Sequence, residues 1–144
     1  LNAPNRFNLP QPAPTAGDGA EVWPAITEAP GLVLPDWLRE DMRERDRVGR
    51  ERYGTPLRVW NGRDAVVDAY QEALDLVVYT KQARMRLGPP GFLISPLYRS
   101  AAFSLDAAVH HALQVAITLG ELARGARGAP VPTTHGELEH RRSS

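Results

Sequence analysis

Cysteine is absent from the 144 residues, which excludes disulfides, thiolate metal sites and cysteine nucleophiles. An excess of charge of either sign is missing too. Seventeen basic and seventeen acidic side chains cancel, so the chain lacks the basic footprint that binding to DNA or RNA requires. No apolar run approaches the ~18 residues of a membrane span, no signal-peptide pattern opens the chain, and no membrane partner is expected. The expected location is cytoplasmic. Lysine is nearly missing: Lys81 stands alone among the cations and the rest are arginine, which suits phosphate recognition but also follows from GC-rich coding. A glycine-rich phosphate loop and a nucleophile elbow are lacking as well, since Gly88-Pro89-Pro90-Gly91 is too rigid and follows no strand.

What is present reads as helix. Residues 1–34 are proline-rich with a Gly17-Asp18-Gly19 break, and are expected to form an extended, mobile arm pinned in its later part by Trp23, Ile26, Leu32, Val33 and Leu34. A first helix is predicted from an Asp36 N-cap to Tyr53, stopped by Gly54, with a surface crowded by Arg and Glu. A connection through Trp60 and the turn-like Asn61-Gly62 leads to a second helix over about 63–87, ended by Gly88-Pro89-Pro90-Gly91. A third, apolar nearly all round, is predicted over 104–124 with Ser104 as N-cap and Gly125 as its stop. From Ala126 the chain reads as a tail. The expected organisation is an arm (1–34), a helical domain (35–125) and a flexible tail (126–144). The expected fold class is all-α: an antiparallel bundle of three to four helices, completed by homo-oligomerisation because helices this apolar bury their surfaces better against a partner chain.

One feature of the second helix points to chemistry. Asp64, Asp68, Glu72 and Asp75, with Tyr79 closing the row, fall within an arc of about 80° at 100° per residue, with no cation among them. Like charges at i,i+4 destabilise a helix by about 0.2–0.5 kcal/mol per pair, so something positive should face them. A divalent metal is the economical choice. Glu72 and Asp75, at i,i+3, can grip one hard cation such as Mg²⁺ from the same face. Glu40, Asp41 and Glu44 on the first helix could complete an acidic cradle, and a phosphate-bearing ligand held through metal would explain the gathering. Against this, Arg39, Arg43, Arg45 and Arg47 interleave those acids, as on an ordinary salt-bridged surface helix.

The pattern Glu40-Asp41-x-x-Glu44, twenty-seven residues, then Glu72-x-x-Asp75-x-x-x-Tyr79 resembles the MazG-like all-α nucleoside triphosphate pyrophosphohydrolases. Their signature is E-E-x-x-E followed by E-x-x-D, commonly with a Tyr four residues on. Tyr53-Gly54-Thr55-Pro56-Leu57, Asn61-Gly62-Arg63-Asp64 and Asp68–Asp75 are also similar to segments of small phage and actinobacterial proteins of that kind. The likeness covers about residues 36–87, and Asp41 stands where the family has a second Glu. It implies a dimeric or tetrameric helical bundle and Mg²⁺-dependent (or Mn²⁺-dependent) hydrolysis of a (deoxy)nucleoside triphosphate to monophosphate and pyrophosphate. Carried over by position, Glu40, Asp41, Glu44, Glu72 and Asp75 would be metal ligands, joined by Asp68. A carboxylate such as Glu44 or Glu72 would activate the attacking water. Arg63, Lys81 and Arg84 are candidates for phosphate charge, and Trp60 or Tyr79 for stacking on a base. Asn61 is a further candidate beside the substrate, or simply a cap.

Two other functions stay open on the residues alone: a non-catalytic helical module binding a nucleotide or a protein, and a structural oligomerisation domain. His110 and His111 diverge by about 100° and cannot easily share one metal, so they read as core or interface histidines. Asp106, His110 and Gln114 share a face that could line a base pocket; His135 and His140 fall in the tail.

Overall fold

A computed structural model describes residues 7, 9–89, 95–124, 136 and 139. It holds two strands and four helices, β1 (Asp18–Glu21), α1 (Val22–Thr27), α2 (Asp36–Tyr53), β2 (Arg58–Trp60), α3 (Ala65–Arg86) and α4 (Pro96–Ala123). The described chain is mostly helical, as its cap signals and apolar patterning predict. It divides into two compact units at Asp64–Ala65, inside the 35–125 stretch that reads as one domain.

In the unit Pro10–Asp64, the arm is more structured than its prolines suggest, because it supplies β1 and α1. β1 pairs antiparallel with β2, Asp18 opposite Trp60 and Glu21 opposite Arg58, with an irregularity between. Gly17 is required there: at φ 61 its Cβ would stand 2.0 Å from the Trp60 carbonyl oxygen. Of the apolar residues expected to pin the arm, Trp23 and Leu34 are half-buried, whereas Val33 is 91% exposed. The cap of α2 lies one residue earlier than expected, with Pro35 at the N-cap and Asp36 in the first turn, where a carboxylate favours the helix dipole. Gly54 ends it in the left-handed conformation, its N–H donating to the Arg50 carbonyl at 2.8 Å. α2 buries no residue. Its arginines do the fastening instead. Arg39 donates to the carbonyls of Thr27 (2.9 Å), Leu32 (3.1 Å) and Leu34 (3.4 Å), satisfying three backbone acceptors of one loop.

Arg50 ties α2 to β1, donating to Glu21 at 2.6 Å and to Asp46 at 2.9 Å, and Arg58 reaches Glu21 at 3.3 Å. The Arg50 hydrogen bond, aided by the nearby charges of Arg50 and Arg58, holds the Glu21 carboxyl below the usual carboxylate range. A depressed folded value means that the stabilisation is present above the unfolded value and lost as pH falls through the folded one. Acidification from about pH 6 to about pH 3 is therefore expected to loosen β1 from α2, followed by NMR shifts of residues 18–21 and 46–50. Glu21→Gln should flatten that acid transition; an identical profile in the variant would remove Glu21 as its source.

The other unit holds Phe7, Leu9 and the antiparallel pair α3–α4. α4 starts eight residues before its predicted start. Ser95 is the N-cap, accepting the Leu97 N–H at 3.2 Å, and Pro96 occupies the first turn, where its missing N–H costs nothing. Ser104 is consequently interior to α4, the helix-compatible stretch 97–103 having joined it. The expected stop at Gly125 lies outside the described residues; Arg124 is the C-cap. The buried positions of the pair are mostly small: Val67 and Ala73 on α3, and Ala102, Ala112, Ala116, Gly120 and Ala123 on α4. A Cβ on Gly120 would come within 3.0 Å of the Tyr70 ring, so this crossing is close.

α3 is covered on one face only, and its apolar flanks stay open. Leu74, Leu76, Val78 and Met85 are 37%, 50%, 62% and 70% exposed. The cause is the size of the contact: one neighbouring helix covers one face, and alanines bring the axes close without covering flanks.

Candidate functional site

The candidate acids of α2, Glu40, Asp41 and Glu44, are exposed in the unit that holds them. Glu40 accepts from Arg43 at 3.1 Å. Glu44 accepts two bonds from Arg47, at 2.8 and 2.6 Å, and Arg47 also bonds Glu51. The paired guanidinium holds the Glu44 carboxyl below the usual carboxylate range and is itself raised further above its own. Asp41 is exposed. Glu40, Glu44 and Glu51 sit in i,i+3 and i,i+4 ion pairs of the kind the interleaved arginines suggest.

On α3, Glu72, Asp75 and Tyr79 are exposed and Asp68 is half-buried. At 100° per residue the strip is centred roughly 160° from the face that packs on α4, so it points away from the helix pair. The row that is expected to face something positive is thus outward-facing within its own unit. Glu72 and Asp75 make no ion pair among the described residues. Two carboxylates fall short of the donor set a hard divalent ion takes, and no group of three or more His, Asp or Glu among the described residues gathers as a metal site. The two halves of the proposed ligand set lie in different units, Glu40, Asp41 and Glu44 in one and Asp68, Glu72 and Asp75 in the other.

The candidate substrate residues divide similarly. Arg63, Asn61 and Trp60 serve the corner of the β-ribbon. Arg63 donates to the Pro12 carbonyl at 2.6 Å, and buried Asn61 accepts the Arg63 N–H at 3.2 Å, closing a local turn as the capping alternative anticipated. Half-buried Trp60 places its ring beside Gly19, whose Cβ would lie 3.0 Å from Cδ1. Arg84 is taken up by Asp106 at 2.9 Å and the Gly88 carbonyl at 2.9 Å. That bond also removes Asp106 from a free base pocket with His110 and Gln114, which are exposed, as is His111. Lys81 lines an open hollow of about 570 Å³ with Val77, Val78, Gln82, Met85 and Arg86.

The best-defined constellation is one the motifs do not flag. Phe7 and Val67 are the only non-alanine apolar side chains that are buried among the described residues. Gln71 Nε2 donates to the carbonyls of Phe7 (2.7 Å) and Leu9 (3.0 Å). The Arg124 guanidinium lies 4.7 Å from the Phe7 ring centroid and 5.2 Å from that of Tyr70, while Arg124 Nη1 donates to the Gly120 carbonyl at 2.8 Å. The signal in the sequence is slight: one aromatic in a proline-rich stretch. None of the family models, curated proteins and solved structures compared with the chain matches it.

Proposed function

We propose that this protein is a helical protein-binding module whose working surface is the outer side of the α3–α4 hairpin. What supports this is the inversion of side-chain size across the hairpin. Apart from Val67, the buried positions of the two helices are alanine and glycine, while Leu76, Val78, Met85, Leu97, Phe103 and Ile117 are 50% to 78% exposed. Solvated surfaces rarely carry apolar patches beyond a few hundred Å² unless something docks there. The measurement is an apolar fluorescent dye titrated onto the chain at decreasing protein concentration. Strong enhancement in dilute solution, falling as a partner docks, is the expected result. A chain that gives no enhancement even at nanomolar concentration overturns the reading.

A second reading, an Mg²⁺-dependent nucleoside triphosphate pyrophosphohydrolase, is favoured by Glu72 and Asp75. They lie one turn apart with no ion pair among the described residues, next to exposed Tyr79. Release of pyrophosphate from a nucleotide panel with Mg²⁺ or Mn²⁺ decides it.

A further inference from the structure

α3 repeats a pattern after eleven residues. Val66-Val67-x-x-Tyr70-Gln71-x-x-Leu74-Asp75 returns as Val77-Val78-x-x-Lys81-Gln82-x-x-Met85-Arg86. Eleven residues turn an α-helix through three turns and about 20°, so the two runs share one flank, roughly 16 Å apart along the axis. The first run is occupied. Val67 is buried with Phe7 and Ala123, Val66 and Tyr70 pack against them, and Gln71 Nε2 donates to the carbonyls of Phe7 and Leu9. It is a seat for one aromatic side chain and its main chain. The six residues of the second run are those that line the open hollow of about 570 Å³.

α4 supports the two runs alike. Tyr70 lies against Gly120 and Arg84 bonds Asp106, an antiparallel register that sets buried Ala112 across from Val78 as buried Ala123 stands across from Val67. Charge is what differs. Lys81 replaces Tyr70 and Arg86 replaces Asp75, and neither cation makes an ion pair among the described residues. Asp106, the acid of α4 at this level, is held by Arg84 at 2.9 Å.

We infer that the hollow is a second peptide seat, which takes an acidic segment of a partner protein. An apolar or aromatic side chain rests on Val77, Val78 and Met85, Gln82 donates to a main-chain carbonyl, and carboxylates meet Lys81 and Arg86. This rests on the binding-module reading and names the chemistry of its partner. A peptide is chosen because the first run already holds one, through groups that recur in the second. The acid is chosen because a segment laid over two cations without a countercharge must supply it, and complementary charge sets which partner binds. Met85 suits such a seat, since its unbranched thioether fits side chains of different shape.

Fluorescence anisotropy of two labelled peptides titrated with the full chain tests this. Both carry the Phe-x-Leu spacing of the seated segment, with Glu at the flanking positions in one and Lys in the other. The glutamate peptide should bind the wild type at least about tenfold more tightly, and the gap should shrink as salt is raised. Lys81→Glu/Arg86→Glu should reverse the preference, which a chain that fails to fold cannot do. Val78→Ser should weaken the glutamate peptide at least about threefold with unchanged circular dichroism, because this side chain is exposed. Equal binding of the two peptides, or a preference that survives the charge reversal, overturns the acidic partner. If neither peptide binds a chain that still enhances the dye, the seat is overturned and the module reading stands; no dye enhancement removes both. Peptide binding that emerges only when residues 1–6 are removed gives the hollow to the chain's own N-terminal segment and overturns a foreign occupant. Self-association abolished by Val78→Ser, without peptide binding, gives it to another copy of the chain and overturns it equally.

Discussion

Phe7→Ala is expected to lower the thermal midpoint of the α3–α4 unit by on the order of 10 °C, from a loss of about 3 kcal/mol. Truncating a core phenylalanine to alanine typically costs about 3–5 kcal/mol, and the lower end applies because this seat opens to solvent on one side and can partly collapse. The substitution also removes the ring under the Arg124 guanidinium, a contact of about 0.5–1 kcal/mol at an exposed site. Gln71 keeps its carbonyl acceptors, so the backbone of the segment stays tethered and the loss reports on the side chain. Phe103→Ala is the control: at 78% exposure in the single chain it should change stability by less than about 0.5 kcal/mol. Differential scanning of the two variants and the wild type checks the contrast. Equal midpoints for Phe7→Ala and wild type would show that the aromatic seat contributes nothing to holding the helices.

On the hydrolase reading, Glu72→Gln and Asp75→Asn should each lower kcat/KM for pyrophosphate release by at least about 100-fold, since each removes a charge that cannot be replaced by an amide. Glu40→Gln should do less, because Glu40 is already committed to Arg43 on its own helix. Circular dichroism should be unchanged in all three, as every one of these side chains is exposed in its unit. This ordering discriminates between the two acidic clusters. Equal losses at Glu40 and Glu72 would mean that both halves serve one ion, and a wild type that releases no pyrophosphate from any nucleotide removes the reading.

Much of the local structure was legible along the chain. The Gly54 and Gly88 stops, the Asn61 turn and the helices around them follow from backbone preferences that each residue carries alone. The start of α4 is not fixed by local preference, because two signals compete there. Ser104 and Ser95 both suit an N-cap, and Pro96 decides for the earlier one only when the residues after it are free to be helical. The acidic strip on α3 was visible as a period of charges, but a period tells which residues share a side of a helix and not what that side faces. The arginines among Glu40, Asp41 and Glu44 were equally visible, and their pairing with the acids follows from i,i+3 and i,i+4 spacing on one helix.

The sequence by itself determined the helical class, the absence of thiol chemistry and of a membrane-spanning helix, and the residues that share each flank, because all of these depend on composition and on spacing within one segment. Tertiary structure alone decided that alanine and glycine would meet at the α3–α4 contact and leave the larger side chains outside. It also decided that Phe7 would be drawn beneath Arg124 from about sixty residues before α3 begins to pack, and that the carboxylate row would turn away from α4. Those outcomes depend on contacts between segments distant in the chain, where the geometry of approach, and not the preference of any residue, selects which faces are covered.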